Sequence, residues 1–152
     1  MSAEKKRFRI HMALTILVMV FIFVQSALSG DLSSKESNFL VAFLSGILDA
    51  DPESISFWIR KGAHFTEYLV LGACLMLTCG DILEERHRSG CGILAWSIGA
   101  AYACTDEFHQ LFVSDRSGEL RDIMIDACGE LAGVLIIAGW RRIRTCVSTA
   151  GQ

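Results

Sequence analysis

Four apolar blocks, Phe8–Ser29, Ala63–Gly80, Gly92–Phe112 and Ile123–Trp140, restrict what this chain can fold into more than any other feature. Each is roughly 18–22 residues long, and a helix needs about 20 to cross a hydrocarbon core ~30 Å thick. Lipid offers backbone groups no hydrogen-bond partners, so a block that crosses must be helical. The wider composition agrees: 52% of the 152 residues are hydrophobic, 20% are charged and there is a single proline. Soluble domains usually hold about 45–50% apolar and about 25% charged residues. The expectation is an all-α protein, a four-helix transmembrane bundle forming a single domain over 1–152, with spans near 8–29, 63–80, 92–112 and 122–140.

The first block has two readings. Lys5-Lys6-Arg7-Phe8-Arg9, an apolar run and then Ser26-Ala27-Leu28-Ser29-Gly30 have the layout of a secretory signal with a small-residue cleavage site. The run from Met12 to Leu28 exceeds the usual h-region of about 7–15 residues, which favours a retained anchor. Basic residues set the orientation. With the N-terminus inside, Lys5, Lys6, Arg7, Arg9, Arg86, Arg88, Arg141, Arg142 and Arg144 are cytoplasmic, while Lys35, Arg60, Lys61, Arg116 and Arg121 are outside. This excess obeys the positive-inside bias and the inverted arrangement violates it, so the chain is expected to be N-in/C-in. Trp140 beside Arg141-Arg142 reads as an interfacial anchor of the last span.

That orientation gathers polar residues on the outer face. The second span begins outside with His64, Glu67 and Tyr68, the third ends there with Asp106, Glu107 and Gln110, and the fourth begins there with Asp122 and Asp126. Residues three or four apart share a helix face, so His64, Glu67 and Tyr68 form one stripe, Asp106, Glu107 and Gln110 a second, and Asp122, Asp126 and Glu130 a third. Ionisable groups at membrane depth are costly unless they turn toward protein or water, so the three stripes are expected to face one another. His109 points about 100° away from Gln110 and fits the cluster less well. Arg116 and Arg121 flank the short turn above it, as ligand contacts or as counter-ions to Asp106 or Asp122. The cytoplasmic ends show nothing comparable: Asp81–Arg88 reads as a mixed-charge loop and Arg141–Arg144 as an ordinary flank.

Other features favour structure. Gly129-x-x-x-Gly133, Gly99-Ala100-Ala101 and Gly72-Ala73-Cys74 are small-residue patterns that let helices pack closely. The six cysteines contain no C-x-x-C pair and read as small apolar residues. In the outer loop Gly30–Ile59, Leu32, Phe39, Leu40, Phe43, Leu44, Ile47 and Leu48 recur at roughly helical spacing. They suggest an amphipathic helix on the outer membrane surface, with a lid over the cluster as the other reading.

The set His64-Phe65-x-Glu67-Tyr68-x-x-x-Gly72, Asp106-Glu107-x-x-Gln110-x-Phe112-x-x-x-Arg116 and Asp122-x-x-x-Asp126-x-x-Gly129-x-x-x-Gly133 resembles the VanZ-like family of bacterial membrane proteins. The resemblance runs from about Phe8 to Trp140. It implies a multi-pass protein of the bacterial cytoplasmic membrane, acting at the cell envelope and tied to low-level resistance to the glycopeptide teicoplanin. Ser114-Asp115 stand where the family often has Pro-Gly, and Asp126 where members carry Asn or Asp.

Five carboxylates, Glu67, Asp106, Glu107, Asp122 and Asp126, cannot all ionise together in a dry site. They share protons, are neutralised by arginine, or bind a hard divalent cation. The last option gives a metal-assisted hydrolase or transferase acting on a lipid-linked phosphate, with His64, Glu67, Asp106 and Glu107 as catalytic candidates. The favoured reading is non-enzymatic: an outer-face pocket, with Tyr68, Gln110, Arg116, Asp122 and Asp126 as ligand contacts, that captures or modifies an envelope lipid headgroup or cell-wall precursor and so lowers glycopeptide susceptibility. A small lipid or proton-coupled transporter using Asp126 and Glu130 is the third, and its few spans would then call for a homo-oligomer. The bilayer itself is a partner on every reading, and no nucleic-acid partner is expected.

Overall fold

The Asp51-Pro52 pair starts a long helix well before the second apolar block begins. Asp51 Oδ2 caps it by accepting from the Ser54 amide at 3.0 Å, and Pro52, whose missing N–H has no helical partner to lose, fills the first turn. In the computed structural model, which describes residues 2–27, 40–83, 88–113 and 119–150, this helix runs Pro52–Ile82. In chain order the described residues form α1 (Ala3–Ala27), α2 (40–48), α3 (Pro52–Ile82), α4 (Arg88–Gln110) and α5 (Leu120–Ala150), with no strand among them. All four long helices extend past the apolar blocks at one end or both. Of the segment Gly30–Ile59, expected to be amphipathic, residues 40–48 form a helix, α2, which exposes Leu40, Phe43, Ile47 and Leu48, and the part from Pro52 belongs to α3; Leu32 and Phe39 lie outside the described residues. Asp49, at φ 48°, turns the chain from α2 into α3, a left-handed position that aspartate tolerates better than most residues.

α3 is the central element and touches α1, α4 and α5. Tyr68, Leu71, Leu75, Met76 and Cys79 line its buried face at the spacing of a helical stripe, and Cys91, Ala95 and Ala103 of α4, Val134 of α5 and Ile22 of α1 close the core around them. The α3–α5 contact is the most extensive. Glycine makes it so close: a Cβ at Gly133 would lie 2.0 Å from the Leu69 carbonyl oxygen, and one at Gly129 2.4 Å from that of Phe65. None of the six cysteines is in a disulfide.

α1 is held by a polar stripe rather than by apolar burial. Its buried residues are Thr15, Ile22 and Ser26, while Leu17, Val20, Phe21 and Val24 are exposed. The Thr15 and Thr78 hydroxyls meet at 3.0 Å, and Tyr102 OH of α4 donates to the Met19 carbonyl at 2.6 Å. Tyr102→Phe is expected to lower the unfolding free energy in detergent by about 1 kcal/mol. An unchanged unfolding midpoint would show that this tie contributes nothing.

Three helices, Ala3–Ala27, Pro52–Ile82 and Leu120–Val147, are long and apolar enough to cross a membrane. α4 is different. Its apolar stretch Gly92–Cys104 covers only about 20 Å at ~1.5 Å per residue, and the acids follow directly. A crossing by α4 therefore depends on Asp106, Glu107 and Gln110 facing protein, and each of the three is buried against the other helices.

Candidate functional site

Two ends of the molecule carry polar clusters. At one end meet the start of α3, the end of α4, the start of α5 and the last turn of α1. Here Asp106, Glu107, Gln110, Asp126, Glu130, Tyr68 and Ser26 are all at most 3% exposed. Helical spacing puts Lys61, His64 and Tyr68 on one face of α3, and Asp122, Asp126 and Glu130 on one face of α5.

The geometry brings most of the expected residues together. His64 Nδ1 stands 3.7 Å from Asp126 Oδ1. Asp126 is within Coulombic range of Glu107, Asp106, Asp122 and Glu67, and Tyr68 within that of Asp106, Asp126 and Glu107. Asp106 Oδ2 accepts from Ser26 Oγ at 2.7 Å and from Gln110 Nε2 at 3.3 Å. Glu107 Oε2 accepts from the Glu119 amide at 3.0 Å, which ties the end of α4 to the start of α5. Asp122 is paired with the Lys61 ammonium, and that ammonium also lies 5.1 Å from the centre of the Phe57 ring. Arg116 lies outside the described residues, and Arg121 is exposed.

Several oxygens in this cluster have no hydrogen-bond partner among the described residues: Tyr68 OH, Asp106 Oδ1, Glu107 Oε1, and both carboxylate oxygens of Asp126 and of Glu130. Each buried polar atom left in that condition costs about 1–3 kcal/mol. Glu130 lies deepest. Its carboxyl occupies the place a side chain at Gly99 would take, where a Cβ would come 1.9 Å from Oε1. Gly99 therefore makes room for an acid as well as for helix packing.

Sequence reasoning missed two members of the site. In the sequence Ser26 reads as part of the small-residue end of a signal segment, and Lys61 as an outside charge. Lys61 sits three residues before His64, so its i,i+3 relation to the stripe was the available signal. His109 stacks on Phe23 with ring centres 4.6 Å apart, which turns it toward α1.

The opposite end, where a mixed-charge loop at Asp81–Arg88 and an ordinary flank at Arg141–Arg144 are expected, also carries built contacts; residues 84–87 of that loop lie outside the described residues. Asp81 of α3 accepts from Arg7 Nε at 2.8 Å and lies 2.6 Å from His11 Nδ1, and its side chain is only 4% exposed. Arg141 Nη2 of α5 donates to the Leu77 carbonyl at 3.3 Å. α1 is thus fastened to α3 by ion pairs at one end, while Ser26 fastens it to α4 at the other.

Among the described residues no three His, Cys, Asp or Glu side chains are arranged to hold a metal ion. The chemistry the cluster offers is hydrogen-bond acceptance and negative charge, with Gln110, Lys61 and His64 as donors at its edge. No curated protein and no solved structure matches the chain. Residues 11–142 match the family model described as VanZ/LLP1, a stretch that takes in every acid of the cluster. Since the match covers most of the chain, this protein belongs to the VanZ/LLP1 family.

Proposed function

We propose that this VanZ-family protein crosses the bacterial cytoplasmic membrane four times, N-in/C-in, and uses its acidic pocket at the outer face to bind a donor-bearing headgroup. The ligand class is an envelope lipid or cell-wall precursor presenting hydroxyl or ammonium groups, and its capture or modification lowers susceptibility to teicoplanin-type glycopeptides. One observation carries this reading: Asp106 Oδ1, Glu107 Oε1 and both carboxylate oxygens of Asp126 are buried at the junction of α3, α4 and α5 with no hydrogen-bond partner among the described residues. Acceptors that outnumber donors select a ligand rich in N–H and O–H groups. Binding suits the arrangement better than metal-assisted hydrolysis, since among the described residues the acids are spread over α4 and α5 and form no ligand trio.

Orientation is supported by charge placement. The start of α1 and the end of α5, with Arg7, Arg141 and Arg144, lie together at the end remote from the acids, and basic flanks favour the cytoplasm.

The test compares bacteria expressing wild type or the Asp106→Asn/Glu107→Gln double variant at equal membrane levels. Teicoplanin susceptibility and the envelope-lipid profile are both measured. Wild type is expected to lower susceptibility and the double variant to abolish that effect. Full protection by the double variant would remove the pocket from the function.

A further inference from the structure

The end remote from the acids holds a cavity of about 690 Å³, framed by α1, α3, α5 and the start of α4. Ligand pockets commonly fall within about 300–1,000 Å³. Its polar walls are mainly basic: Arg7 and His11 from α1, Arg141 and Arg144 from α5, against Glu4 and Asp81.

The basic groups are positioned by their neighbours. Asp81 holds Arg7 and His11 together, so its charge is already engaged. Arg141 reaches across to α3, where its guanidinium fills the space a side chain at Gly80 would occupy, with a Cβ 1.7 Å from Nη1. There it donates to the Leu77 carbonyl. The Arg144 guanidinium carbon sits over the Trp140 ring, 4.1 Å from its centre. Among the described residues neither Arg141 nor Arg144 is paired with a carboxylate. Two oriented guanidiniums in a ligand-sized cavity, neither in ion-pair contact with a carboxylate among the described residues, favour an anion with several acceptor oxygens.

We propose that this cavity is a second binding site, one that takes a phosphate-bearing anion through Arg141, Arg144 and Arg7. A lipid phosphodiester and free phosphate share that chemistry, and basic pockets between membrane helices are well suited to anionic headgroups. The site stands independently of the acidic pocket and of the function proposed for it.

The full chain, purified in a neutral detergent, is titrated calorimetrically with short-chain phosphatidylglycerol, short-chain phosphatidylcholine and inorganic phosphate. Wild type is expected to bind phosphatidylglycerol or phosphate in preference to phosphatidylcholine. Arg144→Gln, at an exposed side chain, is expected to weaken that binding about tenfold. Gly80→Ala keeps every charge but displaces the Arg141 guanidinium, and a similar loss is expected. Arg60→Gln, an exposed charge at the other end, is expected to bind as wild type. Phosphatidylglycerol binding without phosphate binding assigns the site to lipid; phosphate binding with the same variant losses assigns it to the free anion. The proposal is overturned if neither anion binds, if phosphatidylcholine binds equally well, or if folded Arg144→Gln binds like wild type. Should Gly80→Ala fail to fold, Arg144→Gln alone decides.

Discussion

Gly133→Ala is expected to destabilise the protein by about 1–3 kcal/mol or more, the usual range for overpacking a close contact. The added methyl would lie 2.0 Å from the Leu69 carbonyl oxygen and 2.8 Å from the Ala73 nitrogen. Both are backbone atoms of a helix, so no side chain can swing aside and α3 and α5 must separate. Separation would also disturb Gly72, which sits against the Glu130 carbonyl, and would widen the junction that holds Asp126. The opposing helix-propensity gain of alanine over glycine is about 1 kcal/mol and does not offset the clash. Gly139→Ala and Gly62→Ala provide the controls, because a Cβ at either meets nothing within 4 Å. They are expected to match or slightly exceed wild-type stability. The readout is the unfolding midpoint in mixed micelles, and a Gly133→Ala midpoint at or above wild type would refute the close-packed seam.

Both the legible and the hidden parts of this molecule have physical causes. The acidic stripes of α4 and α5 could be read because residues three or four apart must share a face, and membrane depth makes it costly to leave them facing lipid. The Gly129/Gly133 seam was readable for the same local reason. The start of α3 was also written in the chain, as Asp51-Pro52, but a hydropathy block locates apolar length and not helix caps. The partners of α1 were not readable. Ser26 and Asp106 are 80 residues apart, and Arg7 and Asp81 are 74 apart. α1 carries apolar residues on most of its surface, so spacing alone does not reveal which narrow stripe meets protein. The covered Asp81 side chain was hidden likewise, since a carboxylate beside a charged loop looks solvated until its partners arrive from another helix. Of the nominated site residues, Arg116 falls outside the described residues, and the others all lie on α3, α4 or α5 at the acidic end.

Lys61→Ala is expected to cost about 3 kcal/mol, near the lower end of what is lost when one partner of a buried ion pair is removed. Lys61 is 5% exposed and the Asp122 side chain 12% exposed, so the pair has little water to replace either partner. Removal of the ammonium leaves Asp122 one turn from Asp126, within range of Glu107, and with no described cation as close. Much of the loss is therefore repulsion and desolvation of the remaining carboxylate rather than the intrinsic strength of the bond. A specific rescue is therefore expected. Asp122→Asn placed on Lys61→Ala removes the stranded charge and is expected to recover a large part of the stability, whereas Asp122→Asn alone strands Lys61 and is expected to destabilise. The double-mutant cycle isolates the coupling. Unfolding of the four proteins in mixed micelles measures it, and additive single and double effects would show that Lys61 and Asp122 are independent surface charges. If the coupling is strong, Lys61 is the cation that keeps Asp122 ionised at this end of the bundle, while Asp126, one turn deeper on α5, faces His64 at 3.7 Å instead.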